Sequence, residues 1–308
     1  SPGIGKDTLM KVLISGSSGL VGSALCQRLE AEPNCEIVRL VRKQSPDTQQ
    51  TSVVWNPAEG QLEPQAFDGV DVVVHLGGVN IAGKRWSPEV KQKIFNSRFQ
   101  STSLLATKLA SLEQKPSVFL CASAVGFYGD RGEERLDEAS PRGEGFLADV
   151  CQAWEQATQP AQDAGMRVVN MRFGMILDRK GGALGQMLTP FKMGVGGRLG
   201  SGKQYWSWIA LPDVINALQF CLNHSELAGP VNFVAPDEVT NLEFTKTLGK
   251  VLSRPTCLPV PAWGVKTAFG EMGQELMLTS ARVIPNKLTE AGFQFQYPQL
   301  EDAFRSVL

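Results

Sequence analysis

Near its start the chain reads Lys11-Val12-Leu13-Ile14-Ser15-Gly16-Ser17-Ser18-Gly19-Leu20-Val21-Gly22, an apolar run that leads into three glycines spaced three residues apart. The run predicts a buried strand, and the residues from Leu20 onward predict a helix. Gly16 permits a tight turn between them, Gly19 lets a pyrophosphate approach the backbone, and Gly22 lets the helix pack against the sheet. Phosphates would lie at the helix N-terminus, where N–H groups and the helix dipole favour negative charge. We therefore predict a dinucleotide-binding turn formed by Gly16, Ser17, Ser18, Gly19, Leu20, Val21 and Gly22; the alternative is a purely structural turn.

Strands and helices alternate along the chain. Short, nearly continuous apolar runs indicate strands buried on both faces, as in a parallel sheet. The predicted strands are Lys11–Ser15, Glu36–Val41, Ser52–Trp55, Asp71–Leu76, Ser117–Ala122, Arg167–Phe173 and Pro230–Ala235. The predicted helices are Leu20–Ala31, Pro88–Ala110, Glu144–Gln162, Asp213–Leu222 and Asn241–Leu252, with Asn241 as the cap of the last. This alternation predicts an α/β fold: a Rossmann-type doubly wound parallel sheet with a smaller C-terminal substrate lobe.

The pattern changes after Phe173. Residues 180–204 are rich in glycine and predict loops that line a cleft, and the proline-punctuated segment 255–261 marks a late boundary. We predict a cofactor-binding domain over residues 10–173, with 213–235 returning to its sheet. Residues 174–212 and 236–308 would form the substrate lobe, including a small C-terminal domain from about 255. Residues 1–9 would be a leader or an expression remnant.

Composition narrows the functional classes. The 308 residues are 43% hydrophobic and 20% charged, with a net charge of −1, which argues against a nucleic-acid partner and against a disordered chain. No apolar run approaches the length of a membrane span, so we expect no membrane partner. Six scattered cysteines indicate reduced thiols in the cytoplasm, or in an organelle stroma or matrix if a transit peptide has been removed. With two histidines and no cysteine cluster, we expect no metal site.

Two basic residues, Arg42 and Lys43, follow the second predicted strand. A protein that binds NAD usually has Asp or Glu at this place, where the carboxylate bonds the ribose hydroxyls. A guanidinium instead suits a 2′-phosphate, which it can bind through two parallel hydrogen bonds. The sequence therefore favours NADP(H) over NAD(H) as the cofactor; the alternative is that both residues are solvated surface.

The glycine turn S-G-S-S-G-L-V-G resembles the T-G-x-x-G-x-x-G motif of the extended short-chain dehydrogenases/reductases. The resemblance continues through Leu76-Gly77-Gly78-Val79-Asn80 and Ser123-Ala124-Val125. Residues 146–155, 172–184 and 194–209 are similar to the atypical, epimerase-like subgroup. Its members are commonly labelled nucleoside-diphosphate-sugar epimerases, and some carry a cell-division-inhibitor label. They end in a small domain of unknown function, which the chain from about Pro255 resembles.

The resemblance implies an NADP-binding site that extends past the glycine turn. Arg42 would hold the 2′-phosphate, and the helix after the fourth strand would direct Arg98 and Lys93 toward the cofactor. The alternative is that Arg98 and Lys93 are solvated helix residues. Glu155 would face the same cleft. The implied cofactor residues beyond the turn are Arg42, Lys43, Leu76, Gly77, Gly78, Lys93, Arg98 and Glu155.

The usual catalytic pair of the family is absent. Short-chain dehydrogenases use Tyr-x-x-x-Lys with a serine or threonine, so that a phenolate moves a proton as hydride moves to or from nicotinamide. Here Leu147 and Cys151 occupy the tyrosine and lysine positions, so that mechanism cannot run. The replacement candidates are Ser123, Tyr128 and Cys151. The alternative is that Tyr128 packs in a loop and that Cys151 is a small buried residue.

Two hypotheses follow. One is an NADP(H)-dependent oxidoreductase or epimerase-like enzyme with an unknown small polar substrate, such as a sugar nucleotide. For this enzyme Trp206 and Trp208 would form a ligand wall, although core packing explains them equally well. The other is a catalytically silent NADPH-binding sensor or interaction protein, with a division-related role as one form of it. His75, inside an apolar strand, is predicted to be a core residue, and an oligomer is compatible with the sequence.

Overall fold

The computed structural model describes residues 9–44 and 51–308, so the predicted leader lies outside the described residues except for Leu9. The described chain forms thirteen strands: β1 Met10–Ser15, β2 Cys35–Val41, β3 Ser52–Val54, β4 Val72–His75, β5 Val118–Ala124, β6 Arg135–Leu136, β7 Arg167–Phe173, β8 Met175–Leu177, β9 Tyr205–Trp206, β10 Trp208–Ala210, β11 Gly229–Phe233, β12 Val239–Thr240 and β13 Arg282–Val283.

Eleven α-helices accompany the strands in the described ranges: α1 Leu20–Glu30, α2 Pro88–Ser111, α3 Phe146–Gln156, α4 Gln159–Asp163, α5 Gly182–Lys192, α6 Leu211–Asn223, α7 Asn241–Leu252, α8 Ala262–Phe269, α9 Glu271–Gly273, α10 Asn286–Glu290 and α11 Leu300–Val307. Three single-turn 3-10 helices are Pro57–Glu59, Pro64–Phe67 and Val125–Tyr128, and a π-helix spans Gln274–Leu278.

The predicted doubly wound sheet is confirmed. Seven parallel strands lie in the order β11-β7-β5-β4-β1-β2-β3. The chain leaves β1 toward β2 on one side and reaches β4 on the other, so the strand order reverses between β1 and β4. In open α/β sheets, ligands bind at this reversal, beyond the carboxyl ends of the strands. The glycine turn follows β1 and the segment 76–78 follows β4, so both lie at this place.

Alternation along β1 distributes its side chains to two helical layers. Val12 and Ile14 pack in a core with α1 and α6, and Leu13 packs on the opposite face with α2. This follows from the two-residue period of a strand, whose successive side chains point to opposite faces. Both faces of the sheet are therefore covered, as its continuous apolar strands require.

Three sequence-based expectations about helices need correction. The helix expected over 144–162 is two helices, α3 and α4, with Pro160 tolerated in the first turn of the second. The helix α5 lies inside the segment expected to form glycine-rich loops. The cap of α7 is Thr240, whose side chain accepts the Glu243 N–H while the Glu243 carboxylate accepts the Thr240 N–H. Asn241 is the first helical residue instead, and its side chain accepts the Leu199 N–H at 2.8 Å.

A third core lies outside the main sheet and is built by α5, α7 and α11 with β8 and β10. The short pair β6–β13 joins residues 282–283 to residues 135–136, so the C-terminal segment packs back onto the first half of the chain. Leu288 and Phe293 reach the core beneath the main sheet. The division into a cofactor-binding domain over residues 10–173 and a substrate lobe over 174–212 and 236–308 stays a prediction.

Candidate functional site

The glycine turn is shaped by the protein's own packing at two of its three glycines. Gly16 has φ +72°, and a Cβ there would lie 2.7 Å from the carbonyl carbon of Leu76. A Cβ on Gly22 would lie 2.1 Å from the Gly16 carbonyl oxygen. No larger residue fits at either position without moving backbone, so these two glycines hold β1, the turn and α1 close to the end of β4.

Gly19 differs, because the protein leaves space beside it. Its φ is −75°, and a Cβ there would meet only the Gly16 carbonyl oxygen, at 3.4 Å, among the described residues. The helix that follows, α1, has no side-chain cap and no acidic residue in its first turn. Its leading N–H groups are therefore available to an anion that approaches the bare backbone at Gly19.

Residues from the second half reach the same turn. Leu20 Cδ1 lies 3.6 Å from the place where a Cβ on Gly181 would stand, and Leu20 Cδ2 lies 3.7 Å from the corresponding place on Gly182. Gly182 begins α5 with φ +67°. The glycine-rich segment thus borders the glycine turn, where it forms the start of α5 and not a loop.

A buried hydrogen-bonded chain fixes the strand ends on either side of the turn. The Leu76 N–H donates to Ser15 Oγ at 3.3 Å, Ser15 bonds to His75 Nδ1, and His75 Nε2 lies 3.0 Å from Ser101 Oγ. The Ser101 hydroxyl donates to the Ser97 carbonyl at 2.6 Å. Burial, with Arg98 nearby, lowers the pKa of His75 to about 3, so the ring is neutral near pH 7. The expected core role of His75 agrees with this geometry.

Arg98 lies under the segment after β4 without an acidic partner. Its guanidinium donates to the Val79 carbonyl at 3.1 Å, stands 4.9 Å from the Trp154 ring, and would be 3.1 Å from a Cβ on Gly78. Within residues 9–44 and 51–308 no carboxylate pairs with it. Burial lowers its pKa. A desolvated, unpaired cation beside bare glycine backbone suits an anionic ligand.

The other predicted cations are exposed. Arg42 and Lys43 follow β2 at the edge of the crevice, the space beyond the carboxyl ends of β1 and β4 where the strand order reverses. Neither forms an ion pair with another described residue. Lys93 is also exposed, and it is five residues from Arg98, roughly 140° around α2. The structure therefore does not bring Lys93 together with Arg98.

Ser123, Glu155 and Tyr128 belong to one internal network centred on Arg172. Arg172 Nε and Nη2 donate to the two Glu155 oxygens at 2.7 and 2.8 Å, and the Ser123 hydroxyl donates to Glu155 Oε1 at 2.7 Å. Arg172 Nη1 donates to the Tyr128 hydroxyl, which donates to Asn232 Oδ1 at 2.7 Å. Glu155 is thus held by the protein, and Arg172 faces this internal carboxylate.

Tyr128 and Cys151 are enclosed. Tyr128 is fully buried, and burial raises its pKa to about 12. Cys151 is buried beside Gly126 and Leu147, and burial with the nearby Glu155 charge raises the pKa of its thiol to about 12. A high pKa together with burial disfavours both groups as proton carriers, because neither ionises near neutral pH.

Trp206 and Trp208, candidates for a ligand wall, lie in the third core. Their indole N–H groups donate to the Met277 and Asp237 carbonyls at 3.2 and 3.1 Å. Trp208 is completely buried, so core packing describes the pair. All six cysteines are free, and Cys257 is the one that is exposed.

The structure adds a residue that the sequence did not single out. Glu275 in the π-helix accepts the Phe146 N–H at 2.7 Å and the Leu147 N–H at 2.9 Å. It therefore caps α3, the helix on which the sequence predicts the tyrosine and lysine positions at Leu147 and Cys151. The two partners are separated by more than 120 residues, so no local sequence pattern could reveal the contact.

Two further contacts fasten the C-terminal segment to the first half. Arg85 Nη1 donates to the Thr267 and Ala268 carbonyls at 3.0 and 3.3 Å, at the end of α8. Lys91 Nζ lies 2.9 Å from Glu271 Oε1. Among the described residues there is no helix long and apolar enough to span a membrane, and no group of three or more side chains suited to a metal ion.

Comparison with protein families gives two matches. Residues 12–234 match the model of the NAD dependent epimerase/dehydratase family, and residues 260–307 match a domain of unknown function, DUF1731. Both agree with the predicted resemblance, including the small C-terminal domain.

Individual relatives match nearly the whole chain. The epimerase family protein MT2273 of Mycobacterium tuberculosis is 44% identical over 292 residues, which cover 95% of each chain. The crystal structure of human epimerase family protein SDR39U1 with NADPH is 32% identical, with a TM-score of 0.87 over 97% of this chain and 99% of that one. A nucleoside-diphosphate sugar epimerase from Corynebacterium glutamicum is 35% identical, with a TM-score of 0.79. The match covers 98% of this chain and 59% of the Corynebacterium chain.

Proposed function

The chain belongs to the NAD dependent epimerase/dehydratase family, and on that premise we propose that it is an NADP(H)-binding oxidoreductase or epimerase with a noncanonical proton-transfer group. The observation that carries the proposal is the open backbone at Gly19. The protein itself has room for a Cβ there, so the glycine is explained by a ligand that needs the same space.

The side chains around the crevice fit a phosphorylated dinucleotide. The turn Gly16–Gly22 with the α1 N-terminus would hold the pyrophosphate, and Leu76, Gly77 and Gly78 would border the adenosine side. Arg42, with Lys43 beside it, would bind the 2′-phosphate, and the unpaired Arg98 would add a second cation. The human relative solved with NADPH supports this choice of cofactor.

The bound cofactor would supply hydride transfer at its nicotinamide ring, and the protein would orient it. In this proposal Glu155 acts indirectly, because its charge is compensated by Arg172 and it holds the Ser123 hydroxyl in place. Lys93 stays at the margin, where it would contribute long-range attraction for the phosphates at most.

The substrate class we propose is a small polar molecule such as a nucleoside-diphosphate sugar. The Corynebacterium relative, a nucleoside-diphosphate sugar epimerase, supports it. We propose reduced thiols and a location in the cytoplasm, or in an organelle stroma or matrix, since all six cysteines are free.

A second function has its own supporting observation. Ser123, Tyr128 and Cys151 are all buried and committed to internal contacts, which is what a cofactor-binding protein without turnover would show. The second proposal is therefore a silent NADPH-binding sensor or interaction protein.

Titration of NADPH and NADH into the full-length chain tests the cofactor. We expect tighter binding of NADPH, and we expect Arg42→Ala to weaken NADPH by about tenfold or more while NADH is unaffected, since one charge-assisted contact is lost. Lys246→Ala, an exposed charge on α7, is the control and should change neither. Equal affinities for both cofactors in the wild type would contradict the role of Arg42.

Turnover separates the two functions. NADPH oxidation and NADP⁺ reduction are followed with a panel of carbonyl compounds and nucleoside-diphosphate sugars. Turnover of a panel member supports the enzyme. Tight NADPH binding with no turnover of any member supports the silent binder.

A further inference from the structure

Glu275 places a carboxylate at the start of α3. Both oxygens are fixed, Oε1 by the Phe146 N–H at 2.7 Å and Oε2 by the Leu147 N–H at 2.9 Å. A Cβ on Gly145 would lie 2.9 Å from Oε1, so the preceding glycine also leaves room for this carboxylate. The geometry holds Glu275 in one position, as a reacting group requires.

This carboxylate differs from the other acidic groups near the crevice because it has no counterion. Glu155 is neutralised by Arg172, and Glu271 by Lys91, whereas no described cation lies within ion-pair distance of Glu275. Glu275 is half-buried, and each oxygen accepts a single hydrogen bond. A carboxylate oxygen has further lone pairs, so both can accept a proton.

The position of the carboxylate matches the missing group. Leu147, whose N–H bonds Glu275, stands where short-chain dehydrogenases have their catalytic tyrosine. Its Cβ lies 3.1 Å from the place of a Cβ on Gly126, in the turn that directly follows β5 and Ser123. Glu275 thus contacts the backbone of the tyrosine position itself, whereas the exposed acid in the first turn of α3, Asp149, is paired with Arg142.

We propose that Glu275, supplied by the C-terminal segment, is the catalytic acid–base residue that replaces the tyrosine. The proposal rests on the NADP(H)-dependent function proposed above. In the oxidative direction the Glu275 carboxylate accepts the proton of the substrate hydroxyl while the carbinol carbon gives its hydride to NADP⁺. A carbonyl, NADPH and the neutral carboxyl group result. In the reductive direction the carboxyl group returns that proton to the carbonyl oxygen as the carbon receives hydride from NADPH.

A charge beside the nicotinamide makes the proposal testable without a substrate. The ring is positive in NADP⁺ and neutral in NADPH, so a nearby carboxylate favours the oxidised form. The proposed proton transfer would put the carboxylate about 7 Å from the ring, where the attraction changes the relative affinity by about threefold at the dielectric constant of water and by about fiftyfold at an effective constant of about 20. Removal of the charge should therefore weaken NADP⁺ and leave NADPH almost unchanged.

The experiment measures the ratio of the NADP⁺ and NADPH dissociation constants by calorimetric titration of the full chain. Glu275→Gln keeps one acceptor oxygen for α3 and is expected to raise the ratio about threefold or more. Glu275→Asp keeps the charge and should retain a ratio near that of the wild type. Glu271→Gln, four residues earlier and paired with Lys91, is the matched control and should leave the ratio unchanged.

The ratio of dissociation constants and kcat can each overturn the assignment of Glu275. A ratio unchanged in Glu275→Gln, or changed equally in Glu275→Asp, overturns the proposal, because the effect would then be absent or merely structural. On a substrate found by the panel, Glu275→Gln should lower kcat by a factor of about 10² or more, and an undiminished kcat overturns the proposal as well. If the wild type binds neither cofactor, or binds and turns over nothing, the enzyme function itself fails, and this result is distinct from a failure of Glu275 alone.

Discussion

Arg172 and Glu155 form a two-pronged ion pair beneath the crevice, with N–O distances of 2.7 and 2.8 Å and side chains that are 3% and 12% exposed. Arg172 also lies 3.6 Å from the centre of the Phe127 ring. We expect Arg172→Met to lower the free energy of unfolding by about 3–5 kcal/mol, because it leaves the Glu155 carboxylate buried without its partner. Urea unfolding at neutral pH measures the change. The double variant Arg172→Met/Glu155→Met should lose less than Arg172→Met alone, and a larger loss in the double variant would contradict this account.

The neutral state of His75 predicts a pH dependence of stability. Its pKa falls from 6.5 to about 3 on folding, chiefly through burial. The free energy of unfolding therefore has its full value, as far as His75 is concerned, above pH 6.5 and decreases as the pH falls toward 3. Over this range the histidine of the unfolded chain binds a proton and that of the folded chain does not. The slope is about 1.4 kcal/mol per pH unit in this window.

Urea unfolding of the wild type and of His75→Gln at several pH values between 6 and 4 isolates this contribution. The free energy of unfolding of the wild type should fall more steeply toward acid pH than that of His75→Gln. The difference between the two slopes should correspond to the uptake of close to one proton on unfolding. Parallel curves would show that His75 is not neutral in the folded protein.

Gly19 and Gly22 should respond differently to the same change. Gly19→Ala is expected to fold with an unchanged melting temperature, since its Cβ would meet one atom at 3.4 Å, and to lose NADPH affinity by about tenfold or more, since the methyl group occupies the ligand's space. Gly22→Ala should lose about 1–3 kcal/mol of stability, because its Cβ would overlap the Gly16 carbonyl. Thermal melts and NADPH titrations compare them. A Gly19→Ala protein with full affinity would remove the main support for the cofactor site.

The cap of α7 offers a prediction confined to stability. Thr240→Ala removes the side chain that accepts the Glu243 N–H and should lower the free energy of unfolding by about 1 kcal/mol. Thr247→Ala, within the same helix, is the control and should be neutral or slightly stabilising, because alanine has the higher helix propensity. Chemical denaturation distinguishes them, and equal effects would contradict the cap.

Elements with strong local patterns were predictable from the sequence. The apolar run of β1, the three glycines and the start of α1 are adjacent in the chain, so their order, the glycine turn and the parallel sheet follow from short-range rules. The helix α5 was missed because Gly182, Gly185 and Pro190 obscure its helical period. Thr240 was missed as a cap because Asn241, an equally good capping residue, stands beside it.

Long-range partners were not predictable. Nothing near Glu155 indicates that Arg172, two elements later, neutralises it, and the local pattern left Ser123 and Tyr128 as free candidates. Burial decides the state of these groups, and burial depends on how the whole chain packs. Glu275 is the extreme case, since its partners in α3 lie in another part of the sequence.

The cap on α3 also sets an order of events during synthesis. A ribosome makes Phe146 and Leu147 long before it makes Glu275, and it makes β6 long before its partner β13. Until the late residues emerge, the start of α3 has two N–H groups that water must satisfy. The start of α3 and the β6–β13 pair can therefore take their final form only after residues 275 and 282–283 have left the exit tunnel.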